Sequence, residues 1–232
     1  MSIHNGHRQR LMDRFRENGL DEFNSIQALE LLLFFSIPRR DTNELAHVLL
    51  DRFGSISRVM DASVEELMEV PGVGRNTATL LRLVKEAGRF YQVDRVKRDS
   101  LLRTMDDCAR YLMPYFMGKQ REMVYLLCLD AGCNAIACRE VGEGDVNVAV
   151  ISPRRVVEVA LAEKASSVVL AHNHPSGVAI PSQEDVAVTR RLASALASVD
   201  VVLLDHLIVA ENDYVSLVQS KLFQAGGCTA YL

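Results

Sequence analysis

No run of apolar residues in this sequence is long enough to cross a bilayer. The longest near the amino terminus, around Leu29 to Ile37, falls well short of the roughly 20 residues that a spanning helix needs. The opening residues, MSIHNGHRQR, also lack the apolar core of a secretion signal. Cysteine is scarce and unpatterned: Cys108, Cys128, Cys133, Cys138 and Cys228 are odd in number and lack the paired spacings of a disulfide framework or a zinc ribbon. They read as core or turn residues in a reducing compartment, so a cytoplasmic protein without a membrane partner is expected. Charge of one sign is missing too. The 26 basic and 30 acidic residues leave a net charge of -4, and contact with nucleic acid therefore requires a local basic patch. Neither internal repeats nor low-complexity segments occur.

What is present is a sequence that folds. Hydrophobic residues make up 49% and charged residues 24% of the chain, the balance of a globular protein. Its 232 residues suit two small domains. Residues 1–91 show apolar positions at helical spacing, through Leu29, Leu32 and Leu33 and again through Leu45, Val48 and Leu49, which predicts an all-helical domain. Breaks fall at Ser36-Ile37-Pro38 and at Phe53-Gly54-Ser55, and Ser63 with Glu66 forms a capping-box signal. A polar stretch over 92–103 reads as the linker. The remainder, 104–232, alternates strands and helices: a helix over roughly 104–116, the strand MVYLLCLD, and a turn at Ala131 to Asn134. A second strand ends near Glu140, a helix opens at Ser152-Pro153, and a buried strand runs from Ser167 to Ala171. A helix over about 183–198 and the strand VVLLDHLIVA complete an α/β domain with a mixed sheet.

The stretch from His172 to Asp185 carries the chemistry. Side chains on a strand alternate, so His172 and His174 point to one side and can converge on one ion. Pro175, Gly177 and Pro181 enforce a turn, and the following helix returns Asp185 in its first turn. Two imidazole nitrogens and one carboxylate oxygen suit a zinc ion whose fourth position stays open, the arrangement of a catalytic site. Separately each piece has a plainer meaning: a strand-end histidine is usually packed or solvated, and Ser182 with Asp185 is a helix cap. Their combination favours the metal. Ser182 can cap the helix and also aim its hydroxyl at a reacting carbonyl. The zincin motif His-Glu-x-x-His and the nucleobase-deaminase pattern His-x-Glu with Pro-Cys-x-x-Cys are both absent. His206 reads as a packed core histidine in preference to support for a ligand.

The spacing His172, His174, Ser182, Asp185 resembles the JAMM metalloprotease motif. In more detail the chain resembles the RadC family over nearly its whole length, from GHRQRLMDRF through ELLLFFSIPRRDT and the PGVG hairpin to AHNHPSG and LLDHLIV. That resemblance implies a JAMM/MPN-type α/β domain behind a small helix-hairpin-helix domain. It also implies a zinc-dependent hydrolase of amide or isopeptide bonds with a peptide or isopeptide substrate. Asn173 stands where deubiquitinating members carry serine or threonine, which points away from a ubiquitin-like substrate. The motif further requires a remote glutamate at the start of the first strand. Glu122 occupies that position, with Glu140 in reserve. The chemical need is a base that takes the proton of the attacking water and returns it to the leaving amine.

The helical domain carries its own signal. Val64 to Phe90 has the pattern of a helix-hairpin-helix around Val70-Pro71-Gly72-Val73-Gly74, and RFGS resembles a degenerate partner hairpin. Gly72 and Gly74 let the backbone approach a phosphate, assisted by Arg75 and more loosely by Arg82 and Lys85. Asp61, Glu65, Glu66 and Glu69 oppose a strong basic face, so weak DNA binding and protein docking stand level. The alternative function is a DNA-binding or repair-associated protein whose metal site is structural or acts on nucleic acid.

Overall fold

The computed structural model describes residues 3–98, 101–144, 151–210 and 213–226, and the chain divides into two compact units after Gly88. No helix among the described residues is long and apolar enough to cross a membrane.

The first unit is helical. It contains α1 (Ile3–Asn18), α2 (Ser25–Ser36), α3 (Asn43–Phe53), α4 (Ile56–Asp61), α5 (Val64–Met68) and the start of α6 (Arg75–Arg98). Asn24 and Ser63 close capping boxes with Gln27 and Glu66, which satisfies amides left open at the starts of α2 and α5. Gly54 ends α3 with φ of 85° and Ser55 caps α4, so RFGS does form a tight helical hairpin. Leu29, Leu33, Leu49, Leu67, Val73 and Leu81 pack in one core. On α3 the buried positions are Ala46 and Leu49, whereas Val48 is exposed.

The division between units falls inside α6, and the stretch expected as a linker is helical up to Arg98. Its polar residues are good helix formers, while Val93 and Val96, one turn apart, pack against the apolar layer of the second unit.

That second unit is a five-stranded mixed sheet between helices. Its elements are α7 (Met105–Phe116), β1 (Glu122–Leu129), β2 (Ala135–Gly144), α8 (Pro153–Ala162), β3 (Ser167–Asn173), α9 (Gln183–Ala197), β4 (Val202–Ala210) and β5 (Asp213–Ser216). The strand order is β2-β1-β3-β4-β5; β3 and β4 are parallel and the other pairs antiparallel. β5 has only four residues and no apolar alternation, which is why the pattern of the sequence does not announce it.

Alternation along the strands sorts the core into two layers. Val124, Leu126, Cys128, Val168 and Leu170 face α8 and α9. Met123, Tyr125, Leu127, Leu129, Val169 and Ala171 face α7. β1 and β3 are therefore apolar on both sides, as central strands covered by helices must be. The four cysteines among the described residues form no disulfide with one another; Cys228 lies outside them.

Candidate metal centre

Register places the site. Val124 of β1 pairs with His172 of β3 in an antiparallel ladder, so Glu122, two residues earlier, comes level with His174. Residues two apart share a face, and His172, His174 and Glu122 all lie on the side covered by α9. The first turn of α9 closes this edge. Ser182 is its N-cap: the Asp185 amide donates to Ser182 Oγ at 3.1 Å, and the Ser182 amide donates to Asp185 Oδ2 at 2.7 Å. The Ser182 hydroxyl also donates to Oδ2, at 2.7 Å. The cap and the cluster are therefore one structure. The capping contacts that a local reading offers as an alternative to a metal site are what hold Asp185 in place.

His172, His174 and Asp185 come together, each offering a ligand atom within 4.8 Å of the others. His172 Nε2 lies 2.9 Å from His174 Nε2 and 3.3 Å from Asp185 Oδ1, and His174 Nε2 lies 4.0 Å from Asp185 Oδ2. Asp185 is fully buried, yet its Oδ1 has no hydrogen-bond partner. A buried carboxylate oxygen without a donor is costly, and a cation removes that cost. Its approach to His172 is not an ion pair. Burial holds the His172 imidazole down at about 4 against the pull of Asp185, with His174 pushing the same way as burial, so the ring is neutral and able to ligate.

His174 is fixed from its far side. Its Nδ1 is 3.0 Å from the Val178 carbonyl, which can only accept. In the neutral ring the proton sits on Nδ1 and the lone pair on Nε2 faces the cluster. The Pro175 to Pro181 turn supplies that carbonyl, with Gly177 at φ of 82° where a side chain would be strained.

Glu122 begins β1, half-buried. Burial raises its carboxyl; His174 opposes this and Asp185 adds to it, which places all three within electrostatic reach. Asn173, between the histidines, points to the other face and clamps the backbone on both sides of Glu122. It accepts from the Met123 amide at 2.7 Å and donates to the Arg121 carbonyl at 3.1 Å. Glu140 is exposed and pairs with Tyr125, whose side chain packs in the α7 layer on the opposite face.

Two further side chains stand behind the cluster. His206, expected as a core residue, is fully buried but also hydrogen-bonded through Nε2 to His172 Nδ1 at 2.8 Å. Thr189 on α9 contacts the other nitrogen of His206. The Asp-His pair within an apolar strand was the only available signal for the first. Nothing local marks the second.

From residue 102 to residue 222, more than half its length, the chain matches the RadC-like JAB domain. The chain belongs to the RadC family. It is similar to UPF0758 proteins of Fusobacterium nucleatum (32% identical over 224 residues, 94% of this chain and 97% of the relative) and Ruegeria pomeroyi (37% over 206 residues, 89% and 92%). A third UPF0758 protein, of Nitrosococcus oceani, is 34% identical over 220 residues, 95% of this chain and 96% of its own. The helical hairpin of this RadC-family chain matches the helix-hairpin-helix motif over residues 55–84.

In that hairpin Gly72, at φ of 94°, and Gly74 are exposed in the loop before α6, and Arg75 is the first residue of the helix. Arg82 and Lys85, expected to assist loosely, turn inward. Arg82 donates to the Met60 and Asp61 carbonyls at 3.4 and 3.3 Å, and Lys85 pairs with Asp61 at 2.7 Å. Both lie on the face of α6 toward the end of α4, whose last carbonyls and Asp61 carboxylate attract cations.

Proposed function

We propose that this chain is a zinc-dependent hydrolase of amide or isopeptide bonds, with His172, His174 and Asp185 holding the ion and Glu122 as general base. The observation that carries this reading is the buried Asp185 Oδ1, without a donor, beside two imidazole Nε2 atoms. Two nitrogens and a carboxylate oxygen are a zinc donor set with a coordination position to spare. Zinc held there supplies the Lewis acidity that makes attack by water feasible near neutral pH. Glu122 accepts the proton of the attacking water and delivers it to the leaving nitrogen; its raised carboxyl suits an exchange in both directions. Ser182 caps α9 and gives its one hydroxyl proton to Asp185 Oδ2; during the reaction that proton is redirected to the scissile carbonyl. The four cysteines among the described residues form no disulfide with one another, which fits work in the cytoplasm.

Elemental analysis tests the centre. About one zinc per chain is expected in the purified protein, and His174→Ala, which removes a ligand, is expected to empty it. Undiminished zinc in that variant overturns the assignment.

The helix-hairpin-helix match favours a second property, weak DNA association through Gly72, Gly74 and Arg75. With Arg82 and Lys85 engaged internally, Arg75 is left of the three at the start of α6, which fits low affinity.

A further inference from the structure

His206 has no exposed surface, and both of its ring nitrogens are in use. Nε2 lies 2.8 Å from His172 Nδ1, and Nδ1 lies 2.6 Å from Thr189 Oγ1. A neutral imidazole has one N–H and one lone pair. The two contacts can therefore be filled in two ways, and these leave opposite nitrogens of His172 bare.

Thr189 decides between them. Its Oγ1 also lies 2.6 Å from the backbone carbonyl of Asp185, one turn earlier on α9. A carbonyl brings no proton, so the single hydroxyl proton must fill that contact. The proton in the second contact then comes from the imidazole, and His206 Nδ1–H donates to Thr189 Oγ1. Neutral His206 is left with its lone pair on Nε2, so His172 Nδ1–H donates to it. His172 is then bare at Nε2, the atom facing Asp185 Oδ1 and His174 Nε2. A charged His206 would donate from both nitrogens and reverse this outcome. Its two ring nitrogens, however, meet another imidazole and a hydroxyl, no carboxylate among the described residues pairs with it, and complete burial keeps it neutral.

We propose that Thr189 and His206 are positioning residues: the Thr189 hydroxyl sets the tautomer of His206, and His206 fixes His172 with its lone pair at Nε2. The relay runs from the backbone carbonyl of one candidate ligand, Asp185, to the ligating nitrogen of another. A helix and two parallel strands thereby fix the orientation and protonation of the donor set before any ion arrives, which lowers the cost of binding one. The consequence for metal binding rests on the zinc reading above. The tautomers are a property of the metal-free protein.

The test combines imidazole ¹⁵N spectra of chelator-treated protein, at a mildly alkaline pH, with zinc competition against a chelator. Expected are Nδ1–H tautomers for both His172 and His206, with a scalar coupling across the hydrogen bond between them. Thr189→Val, which keeps the shape and removes the hydroxyl, is expected to mix the tautomers and weaken zinc binding about 10- to 100-fold. Thr189→Ser is expected to restore both. An Nε2–H proton on His172 in the wild type overturns the relay, and that spectrum decides the matter even if the valine variant does not fold. Wild-type tautomers and affinity in a folded Thr189→Val also overturn it. If the predicted tautomers are found but the wild type binds no zinc, the relay stands and the zinc reading falls. Zinc binding with reversed tautomers refutes the relay alone.

Discussion

Exchanging Glu122 for glutamine separates a metal site that binds from one that reacts. Glu122 is the first residue of β1 and only half-buried, and the clamp from Asn173 grips its neighbours' backbone and not its side chain. Glutamine keeps the volume and one acceptor oxygen, so the variant is expected to stay within about 0.5 kcal/mol of wild-type stability. The ligands are untouched, and zinc content is expected to be unchanged. What glutamine loses is a carboxylate held beside His174 and Asp185 that can exchange a proton with water. General acid-base catalysis contributes about 100- to 10,000-fold, or about 2.7 to 5.5 kcal/mol of barrier, and the turnover number is expected to fall by that factor. The assay is turnover of a peptide or isopeptide found by screening the zinc-loaded wild type, run alongside elemental analysis and a melting curve. Near-normal turnover in Glu122→Gln, with Glu140→Gln inactive, would show that the base lies on β2 and that the reasoning from strand register is wrong.

Three further outcomes are expected. Asn173→Ala leaves the buried Met123 amide without its acceptor, so a loss of about 1–3 kcal/mol in urea unfolding is expected, together with reduced turnover at unchanged zinc content; unchanged turnover would sever Asn173 from the placement of Glu122. DNA binding by the full chain is expected to be weak, to fall steeply with salt and to be lost when Gly74 becomes a bulky residue; binding that survives that change makes the hairpin a structural or protein-docking unit. For the chelator-treated protein, folded His172 titrates at about 4 and His206 well below 6.5, whereas the unfolded imidazoles take protons near 6.5. The unfolded state thus binds protons first as pH falls, and the stability present above about 6.5 is expected to drain away toward about 4. Urea unfolding at about pH 7.5 and 5 reads this slope, which is expected to be shallower in His172→Gln; a slope that the variant does not change refutes the assignment.

The sequence by itself determined what depends on local spacing. His172 and His174 share a face because strands alternate, and Asp185 reaches the first turn of α9 because Ser182 caps it three residues before. Gly54 and Gly72, one in each hairpin, sit where the backbone needs a left-handed turn, and both are legible in a single dimension. The tertiary structure decided everything that depends on which strands are neighbours. Glu122 comes level with His174 only through the antiparallel register of β1 on β3. His206 meets His172 only because β4 lies parallel beside β3, with Leu170 opposite His206. Thr189 enters because α9 packs over that strand pair, and Arg82 and Lys85 leave the phosphate-facing set because α4 lies within their reach. Periodicity records which way a side chain points from its own backbone. It holds no information about which segment, dozens of residues away along the chain, packs against that side chain.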